Sequence, residues 1–440
     1  MRLANASRRT AAAAQLHLRR ISEQFPETAY GAFSTPRGWA FLSFLIFYLL
    51  TLVYLSNTNY RDPTSFFFDP KYGYERSYSL QRQHEAEIFI QKANSSSPRP
   101  AILKEPEMCI GIATIGRPGH QYVRAAIGSL LEGLTQEERD EISLIVFIAQ
   151  TDIHEHPIYG EAWVEALSDQ VLSYDVPNEE LEHLKNLERN KNYREKGAYD
   201  YAYVLDKCVA TGAPWITIVE DDTIAVAGWY PRATAAVKKL DTDLSKDREW
   251  LYLRLFYTEE FLGRNSEDWL YYLVNCSGAI LLSAIILFSL RLCGYQRTIT
   301  NVVIATVCLV CVPACILLYF LAGKLSVNPL TPGVHAMPNF GCCGQGFVFS
   351  RRTASSVVQH LREKKVGFVD MLLEEWANEA GLARWVVVPS LLQHIGSISS
   401  KGDDFSGNAK HDRSVAEKIW NFGFELYDAK GRWSPSTLVG

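Results

Sequence analysis

The chain has 440 residues, of which 48% are hydrophobic and 21% are charged. That length allows about three compact domains or one large domain with insertions, and the composition excludes a chain that is disordered throughout. The formal net charge of -5 excludes a general nucleic-acid binder, because such a protein needs a basic face. No nucleic-acid polymer is therefore expected as a partner.

The first apolar segment covers residues 39–55 and reads WAFLSFLIFYLLTLVYL, without a charge. Its length is at the short end for a membrane span. A cleaved signal peptide is the alternative, but a long N-terminal region precedes the run, and no small-residue cleavage site follows it. We therefore expect a retained membrane anchor. Residues 1–38 carry more arginine than acidic residues, which predicts a basic cytosolic tail.

Two further uncharged runs, 271–290 and 299–322, are joined by the short basic turn 291–298. Either run could be a core helix of a soluble protein, but their length and the basic turn favour a transmembrane helical hairpin with its turn in the cytosol. Both outer ends of the hairpin then lie in the lumen, where the first span delivers the chain. The expected lumenal parts are a stem at 56–100 and a folded domain in two parts, 101–270 and 323–440.

Four cysteines lie outside the hairpin and its turn: Cys109, Cys208, Cys342 and Cys343. A lumenal location would permit disulfides among them. We expect the adjacent pair to reach Cys109 and Cys208 rather than to bond to itself. Asn94 begins an N-glycosylation motif, which fits a lumenal location and is a weak signal.

Strands and helices alternate from Met108 onwards. Short apolar runs at 109–114, 142–150 and 215–222 predict buried strands, and residues 121–134 and 192–208 have helical periodicity. This order predicts an α/β domain with a Rossmann-like, mainly parallel sheet. Ligands bind such sheets at the carboxyl ends of the strands, where the TIGRP segment and an acidic triplet both fall.

The acidic triplet Glu220, Asp221 and Asp222 directly follows the apolar run WITIV. A solvated turn is one interpretation. Adjacent carboxylates repel each other unless a cation or base lies between them, and Mg²⁺ or Mn²⁺ binds through one or two carboxylates together with substrate phosphates. The triplet therefore suggests a metal-bound phosphate or diphosphate. A metal-dependent phosphotransfer enzyme fits these residues equally well.

Three features after the hairpin could belong to the same site. Glycines in NFGCCGQGF would let backbone approach a ligand closely, although a tight turn alone explains them. Asp370 lies at the expected start of a helix, as an ordinary cap or as a general base, with Glu374 and Glu375 one turn on. His394 follows a buried strand and is expected in a polar loop, either as a plain loop residue or as a second metal ligand.

In order, the segments TIGRP, NYREKGAYDYAYVLDKC, ITIVEDDT, FVDML and PSLLQHIGSISS resemble a GT-A glycosyltransferase that uses a nucleotide-sugar donor. They are also similar to the N-acetylglucosaminyltransferase IV family, which has only an N-terminal anchor. A tandem hairpin inside the catalytic domain resembles instead the Golgi transferases that add N-acetylgalactosamine to the first mannose of GPI anchors. This resemblance covers residues 35–430.

The resemblance implies UDP-GalNAc as donor, with Mn²⁺ or Mg²⁺ on its diphosphate, and the glycan of GPI-anchored proteins as acceptor. It implies a multi-pass Golgi membrane protein in contact with membrane lipids, with a cytosolic N-terminus and a lumenal catalytic domain. The implied roles fall on the following residues: Asp222 and His394 as metal ligands; Glu220 and Asp221 near ribose, metal-bound water or basic groups; Thr114, Ile115 and Arg117 around uridine; Arg194 and Lys196 near the diphosphate; and Asp370 as the base, with Glu374 and Glu375 as alternatives. The EDD triplet departs from a literal DxD motif.

Three alternatives remain open from the sequence. An N-glycan branching enzyme would share the fold and donor type, but its acceptors stand away from the bilayer. A metal-dependent phosphotransferase acting on membrane lipids would explain the acids and the hairpin, but not the ordered segments. A non-catalytic membrane scaffold with a transferase fold would not need intact acids at Asp221, Asp222 and Asp370.

Overall fold

The structure is a computed structural model of the chain that describes residues 35–94, 105–117, 119, 121–244, 249–397 and 415–432. Most of the predicted basic tail and the linker after Asn94 lie outside the described residues. The chain divides into two compact units. Of the described residues, those within 35–58 and 268–322 form the apolar unit, and those within 59–267 and 323–432 form the α/β unit.

The α/β unit contains one large sheet and one two-stranded ribbon within the described residues. The strands are β1 Met108–Thr114, β2 Ile142–Ile148, β3 Gln170–Leu172, β4 Trp215–Val219, β5 Thr223–Ala225, β6 Trp250–Arg254, β7 Gly333–Ala336, β8 Gly346–Ser350, β9 Ala383–Val388 and β10 Leu392–His394. The large sheet has the order β3-β2-β1-β4-β8-β6-β9-β7, and β5 pairs with β10. Strands β7 and β8 run opposite to the other strands of the large sheet, so the sheet is mainly parallel as predicted.

Helices cover both faces of this sheet. In the α/β unit they are α2 Pro70–Gly73, α3 Tyr78–Ala93, α4 Tyr122–Leu131, α5 Gln136–Asp140, α6 Ala162–Leu167, α7 Asn178–Arg189, α8 Tyr193–Ala210, α9 Trp229–Lys239, α13 Lys324–Val327, α14 Arg351–Lys364, α15 Val369–Ala380 and α16 Val415–Lys418. Along β1, Ile110 and Ile112 join one buried cluster and Cys109 joins the other. Burial on both faces explains why the strands are continuous apolar runs rather than alternating ones.

The segment expected as a stem belongs to the α/β unit where it is described. Helix α3 has fully buried apolar residues on one side, among them Ile90. Its Arg82 is also buried, and it donates from Nε to the Ala225 carbonyl at 3.0 Å and from a terminal nitrogen to the Ser129 carbonyl at 3.1 Å. Residues 59–94 are therefore part of this compact unit and not a separate stem. Their mixed polar and aromatic composition concealed the buried face.

The apolar unit consists of helices at the three apolar segments of the sequence. They are α1 Pro36–Thr58, α10 Trp269–Leu290, α11 Asn301–Thr306 and α12 Val312–Leu321, with a π-helical turn joining the last two. Within the described part of the chain, three helical runs are long and apolar enough to cross a membrane: Pro36–Thr58, Glu259–Tyr295 and Asn301–Leu321. Helices α10 and α12 pack together, with the Tyr272 and Phe320 ring centroids 5.9 Å apart. The topology remains a prediction.

The disulfides differ from our expectation. Cys109 on β1 pairs with Cys208 on α8, with 5.6 Å between their Cα atoms, and Cys342 pairs with Cys343. The prediction that the adjacent pair would reach the other two cysteines was wrong. Helix α8 packs on β1, which brings Cys109 and Cys208 together in one buried cluster. The spacing of the cysteines along the chain does not predict that contact.

Candidate active site

The candidate site lies at the edge of the sheet where β1 and β4 end. These strands are parallel, so Thr114 and the acidic triplet emerge on the same edge. Strand β8 runs antiparallel to β4 and begins there, with Gly346 paired to Val219. The TIGRP segment, the acids and the glycine-rich turn therefore meet, as expected for the carboxyl ends of parallel strands.

Asp221 is buried and held by three donors. The Thr114 hydroxyl donates to Asp221 Oδ2 at 2.7 Å, and the two terminal nitrogens of Arg117 donate to Oδ2 at 2.8 Å and Oδ1 at 2.9 Å. A bidentate guanidinium pair is among the stronger hydrogen-bonded contacts in proteins. Asp221 thus acts as the counter-charge and anchor of Arg117, and both of its oxygens are engaged.

His156 belongs to the same network, although no sequence motif distinguishes it from an ordinary loop histidine. The Ile158 N–H donates to its Nδ1 at 3.3 Å, which leaves Nε2 as the protonated nitrogen. That nitrogen lies 3.2 Å from the Thr114 oxygen, so it donates there and directs the Thr114 proton toward Asp221. Burial, together with the Arg117 charge, lowers the pKa of His156 to about 4. The imidazole is therefore neutral near pH 7.

Asp222 faces His394 across the β5–β10 ribbon. Thr223 pairs with His394, and the His394 Nε2 lies 3.4 Å from Asp222 Oδ2. His394 is the buried last residue of β10, so the expectation of a polar loop was wrong; the ribbon partner β5 lies far away in sequence. Burial opposes charge on His394, but the Asp222 carboxylate outweighs this and raises the pKa of the imidazole.

Gly396 keeps the space beside this pair open. A Cβ at Gly396 would lie 2.6 Å from Asp222 Oδ2 and 2.8 Å from His394 Nε2. No group of three or more His, Cys, Asp or Glu side chains among the described residues could hold a metal ion alone. One carboxylate and one imidazole fit instead a divalent ion that takes its other ligands from a diphosphate and water. The donor set is therefore compatible with the expected metal.

Glu220 has different surroundings from the two aspartates. Its N–H donates to the Gln345 carbonyl at 3.1 Å, and its Oε2 accepts from Gln345 Nε2 at 3.1 Å. The residue is half-buried, and a Cβ added to Gly344 would approach its Oε1 to 3.3 Å. The three acids of the triplet thus differ in their main partners, although Arg117 also lies 3.7 Å from Asp222 Oδ2.

The three carboxylates of α15 are also distinct. Asp370 accepts from the Cys343 N–H at 2.8 Å, which directs it toward the glycine-rich turn. Glu374 is buried between Arg254 and Arg384, at 2.7 and 2.8 Å. Glu375 is exposed. Of these three, only Asp370 combines partial exposure with a contact to the turn before β8.

The basic residues expected near a diphosphate differ in availability. Lys196 is buried, and its ammonium donates to the Ala149 carbonyl at 2.6 Å, the Tyr174 hydroxyl at 2.7 Å and Asp200 at 3.0 Å. These contacts use all three of its donors. Arg194 is exposed and lies 4.8 Å from the ring centre of Phe368, two residues before Asp370.

The remaining position expected near uridine, Ile115, is half-buried between Thr114 and Gly116. The Gly116 N–H donates to Gln150 Oε1 at 2.8 Å, which joins this turn to the segment after β2. The TIGRP turn is therefore held by its backbone as well as by Arg117.

A mainly parallel α/β sheet with acids at the carboxyl ends of its strands is typical of enzymes that bind phosphate-bearing ligands at that edge. The sequence profile of the family described as "GPI-N-acetylgalactosamine transferase PGAP4" matches residues 108–393. The match covers more than half of the chain, and the chain belongs to that family. The matched region also runs across the two apolar segments 271–290 and 299–322.

Two curated relatives agree with the predicted relation to N-acetylglucosaminyltransferase IV. The chain is 25% identical over 165 residues to the rat (Rattus norvegicus) alpha-1,3-mannosyl-glycoprotein 4-beta-N-acetylglucosaminyltransferase-like protein MGAT4D, covering 35% of this chain and 42% of the relative. It is 23% identical over 167 residues to alpha-1,3-mannosyl-glycoprotein 4-beta-N-acetylglucosaminyltransferase A of Xenopus tropicalis, covering 35% and 30%. The chain thus spans less than half the length of either relative. Together with the family, these relatives support a hexosyltransferase.

Proposed function

We propose that this protein is a GT-A-fold glycosyltransferase of the Golgi membrane. It transfers N-acetylgalactosamine from UDP-GalNAc to the first mannose of the glycan on GPI-anchored proteins. The observation that carries this proposal is the family match over residues 108–393. That range contains the acidic triplet, Asp370, the paired apolar segments and the large sheet, and it ends one residue before His394.

The donor end of the site is assigned as follows. Asp222 and His394 would hold Mn²⁺ or Mg²⁺, which when bound neutralises charge that develops on the departing diphosphate. Ile115 borders the uridine, and Thr114 and Arg117 keep Asp221 and the TIGRP turn in position. Arg194 is exposed and could approach the diphosphate. Lys196 has its donors occupied within the protein, so it is not assigned to the diphosphate.

Asp370 is assigned as the general base. It takes the proton of the acceptor hydroxyl as that oxygen forms a bond to C1 of the donor sugar. The acceptor oxygen attacks C1 on the face opposite the diphosphate, the bond from C1 to the diphosphate oxygen breaks, and UDP leaves with the electron pair. Attack from the opposite face inverts the configuration at C1. Three observations support Asp370: its place in the first turn of α15, its contact with the Cys343 N–H, and the engagement of Glu374 with two arginines.

The three apolar helical runs support a membrane-bound enzyme. The excess of arginine in residues 1–38 favours a cytosolic N-terminus and therefore a lumenal catalytic domain. The acceptor sugar of a GPI anchor lies close to the bilayer. A transmembrane hairpin within the catalytic domain would keep the site at the lipid surface. An N-glycan branching enzyme has acceptors that stand away from the membrane, which makes the apolar pair harder to explain on that alternative.

The proposal is tested by UDP release from a panel of UDP-sugars with the full-length protein purified in detergent and supplied with Mn²⁺. We expect release from UDP-GalNAc above the other sugars, lost in Asp222→Ala and kept in the control Asp206→Ala, a surface residue paired with Arg362. A preference for UDP-N-acetylglucosamine would favour the branching enzyme. An absence of Mn²⁺-dependent release from every sugar would favour a scaffold or another phosphate chemistry.

The acceptor needs a separate measurement. Incubation with UDP-GalNAc and a GPI glycan that carries the first mannose should add one N-acetylhexosamine, detected by mass spectrometry. The matched control is the same glycan with that mannose removed. Transfer to an N-glycan acceptor in place of the GPI glycan would contradict the proposed acceptor.

A further inference from the structure

We propose that Tyr201, Glu220 and Gln345 form the subsite that recognises the transferred sugar of the donor, through hydrogen bonds to its hydroxyl or acetamido groups. This inference rests on the proposed function, because it assigns the substrate class of the same site. None of the three residues is a metal ligand or the base in the mechanism above. Glu220 directly follows β4 and Gln345 directly precedes β8, whereas Tyr201 lies on α8.

The Gln345 amide is the first observation. Gln345 is only 3% exposed and lies just before β8. Its Nε2 must face Glu220, because the carboxylate there accepts and cannot donate. Its Oε1 is then turned elsewhere, is buried, and has no hydrogen-bond partner among the described residues. A buried amide oxygen is an acceptor whose desolvation is uncompensated until a ligand donates to it.

The Tyr201 hydroxyl is the second observation. Tyr201 lies on α8, and its oxygen is buried without a hydrogen-bond partner in the part of the chain that the structure describes. Glu220, Arg254 and Asp370 are the charged groups close enough to act on it, so the phenol lies near both the triplet and the proposed base. Burial raises the pKa of Tyr201 well above its usual value, with the carboxylates adding to this. The hydroxyl therefore stays neutral and can both donate and accept.

The position of this cluster selects the ligand. In an inverting transfer, the sugar lies between the leaving diphosphate and the base. Glu220 lies two residues before the proposed metal ligand Asp222, and Asp370 is the proposed base. A group close to both Glu220 and Asp370 therefore meets the transferred sugar rather than the uridine. Gly344 has no side chain to cover the Glu220 carboxylate. An unpaired amide oxygen, a carboxylate and a phenol call for a ligand rich in O–H and N–H donors, which an N-acetylhexosamine is.

The test uses Tyr201→Phe in the full-length protein in detergent. Removing a hydroxyl that has no protein partner should leave the Tm unchanged or raise it. The same change should lower kcat/KM for hydrolysis of UDP-GalNAc by about 3- to 30-fold, the range for one lost hydrogen bond. The inhibition constant of UDP should stay within about twofold, because UDP lacks the sugar.

Tyr199→Phe on the same helix is the matched control. Its hydroxyl donates to Glu180 at 2.9 Å, away from the site. We expect the reverse pattern, with a lower Tm and an unchanged kcat/KM. Gln345→Met is a second variant, which should reduce the discrimination between UDP-N-acetylhexosamines and the corresponding UDP-hexoses.

Three outcomes would overturn the inference. Unchanged kcat/KM for every donor in Tyr201→Phe would mean that the hydroxyl contacts no sugar. A change confined to a higher KM for the acceptor would mean that the cluster binds the acceptor and not the transferred sugar. A UDP inhibition constant that rises in parallel with the loss would mean a disturbed nucleotide site. Wild-type protein that releases UDP from no sugar would instead overturn the proposed function, and this inference would fall with it.

Discussion

Two carboxylates one helical turn apart on α15 have opposite surroundings. Glu374 is buried and balances Arg254 and Arg384, whereas Asp370 is partly exposed and accepts from the backbone of the glycine-rich turn. Both are acids on the same helix near the site. Their contacts show that Glu374 stabilises the fold and that Asp370 is available to take a proton. Sequence position alone does not distinguish the two roles.

Replacement of these two acids should therefore have different consequences. Asp370→Asn removes the proposed base, and we expect kcat for transfer to fall by about 10²- to 10⁴-fold with little change in Tm. Glu374→Gln leaves two buried guanidinium groups without their counter-charge, which should cost about 3 kcal/mol or more in the free energy of unfolding. The measurements are transfer kinetics and thermal unfolding for both variants. Normal transfer in folded Asp370→Asn would rule out Asp370 as the base.

His156 provides a prediction on pH. Its pKa is about 4 in the folded chain against an ordinary value of 6.5, so the unfolded chain binds more protons between these values. The free energy of unfolding should then fall as the pH decreases from about 6.5 to 4, by up to roughly 3 kcal/mol from this residue. In His156→Gln, the Tm difference between pH 7 and pH 5 should be smaller than in wild type. The control is His183→Gln on the surface, and an equal pH dependence in His156→Gln and wild type would contradict the assignment.

At the scale of elements, the strands of the parallel part of the sheet were predictable because burial on both faces makes them uninterrupted apolar runs. Strands β1, β2 and β4 coincide with the predicted runs, and the acids follow β4 as expected. The β5–β10 ribbon was not predictable, since each strand has three residues and their partners are far apart in sequence. The sequence already suggested His394 as a second metal ligand beside the acids, but its place on a strand came only from the fold.

The same limit explains the residues that sequence reasoning missed. Gln345 lies within the glycine-rich segment that the sequence singled out, but only the pairing of β8 with β4 brings it to Glu220. His156 has no motif of its own. The buried role of Lys196 depends on Asp200 and on the carbonyl after β2. Each of these contacts is set by tertiary packing, which local patterns do not encode.

The ribbon gives a prediction at Gly396. A methyl group there would meet Asp222 and His394 at 2.6 and 2.8 Å, so these side-chain ends must move apart. We expect Gly396→Ala to reduce the apparent affinity for Mn²⁺ by about tenfold or more while the protein stays folded. Activity titrated with Mn²⁺ measures this. Gly197→Ala is the control, because a Cβ at Gly197 has no neighbour within 4 Å. Equal Mn²⁺ titrations for Gly396→Ala and wild type would argue against a metal site at this pair.

At the scale of the whole molecule, three chain connections to the apolar helices converge within the α/β unit. Asp62, which follows α1, accepts from the Ser326 N–H at 2.9 Å and the Ser326 hydroxyl at 2.8 Å. The Lys324 ammonium donates to the Gly263 carbonyl at 2.7 Å. Polar contacts thus join three segments: the one after the first apolar helical run, the one before the second and the one after the third. This convergence is what a domain held at a membrane by several spans requires.

The last prediction concerns the hairpin itself. If it keeps the site at the bilayer, replacing residues 268–322 by a flexible soluble linker should leave UDP-sugar hydrolysis within about twofold of wild type. Transfer to GPI acceptors embedded in vesicles should fall by about tenfold or more, because the effective concentration of a tethered enzyme at its substrate is lost. Transfer to the same glycan released from its lipid is the control and should be retained. A folded variant with undiminished transfer to the embedded acceptor would show that the hairpin has no part in presenting the substrate.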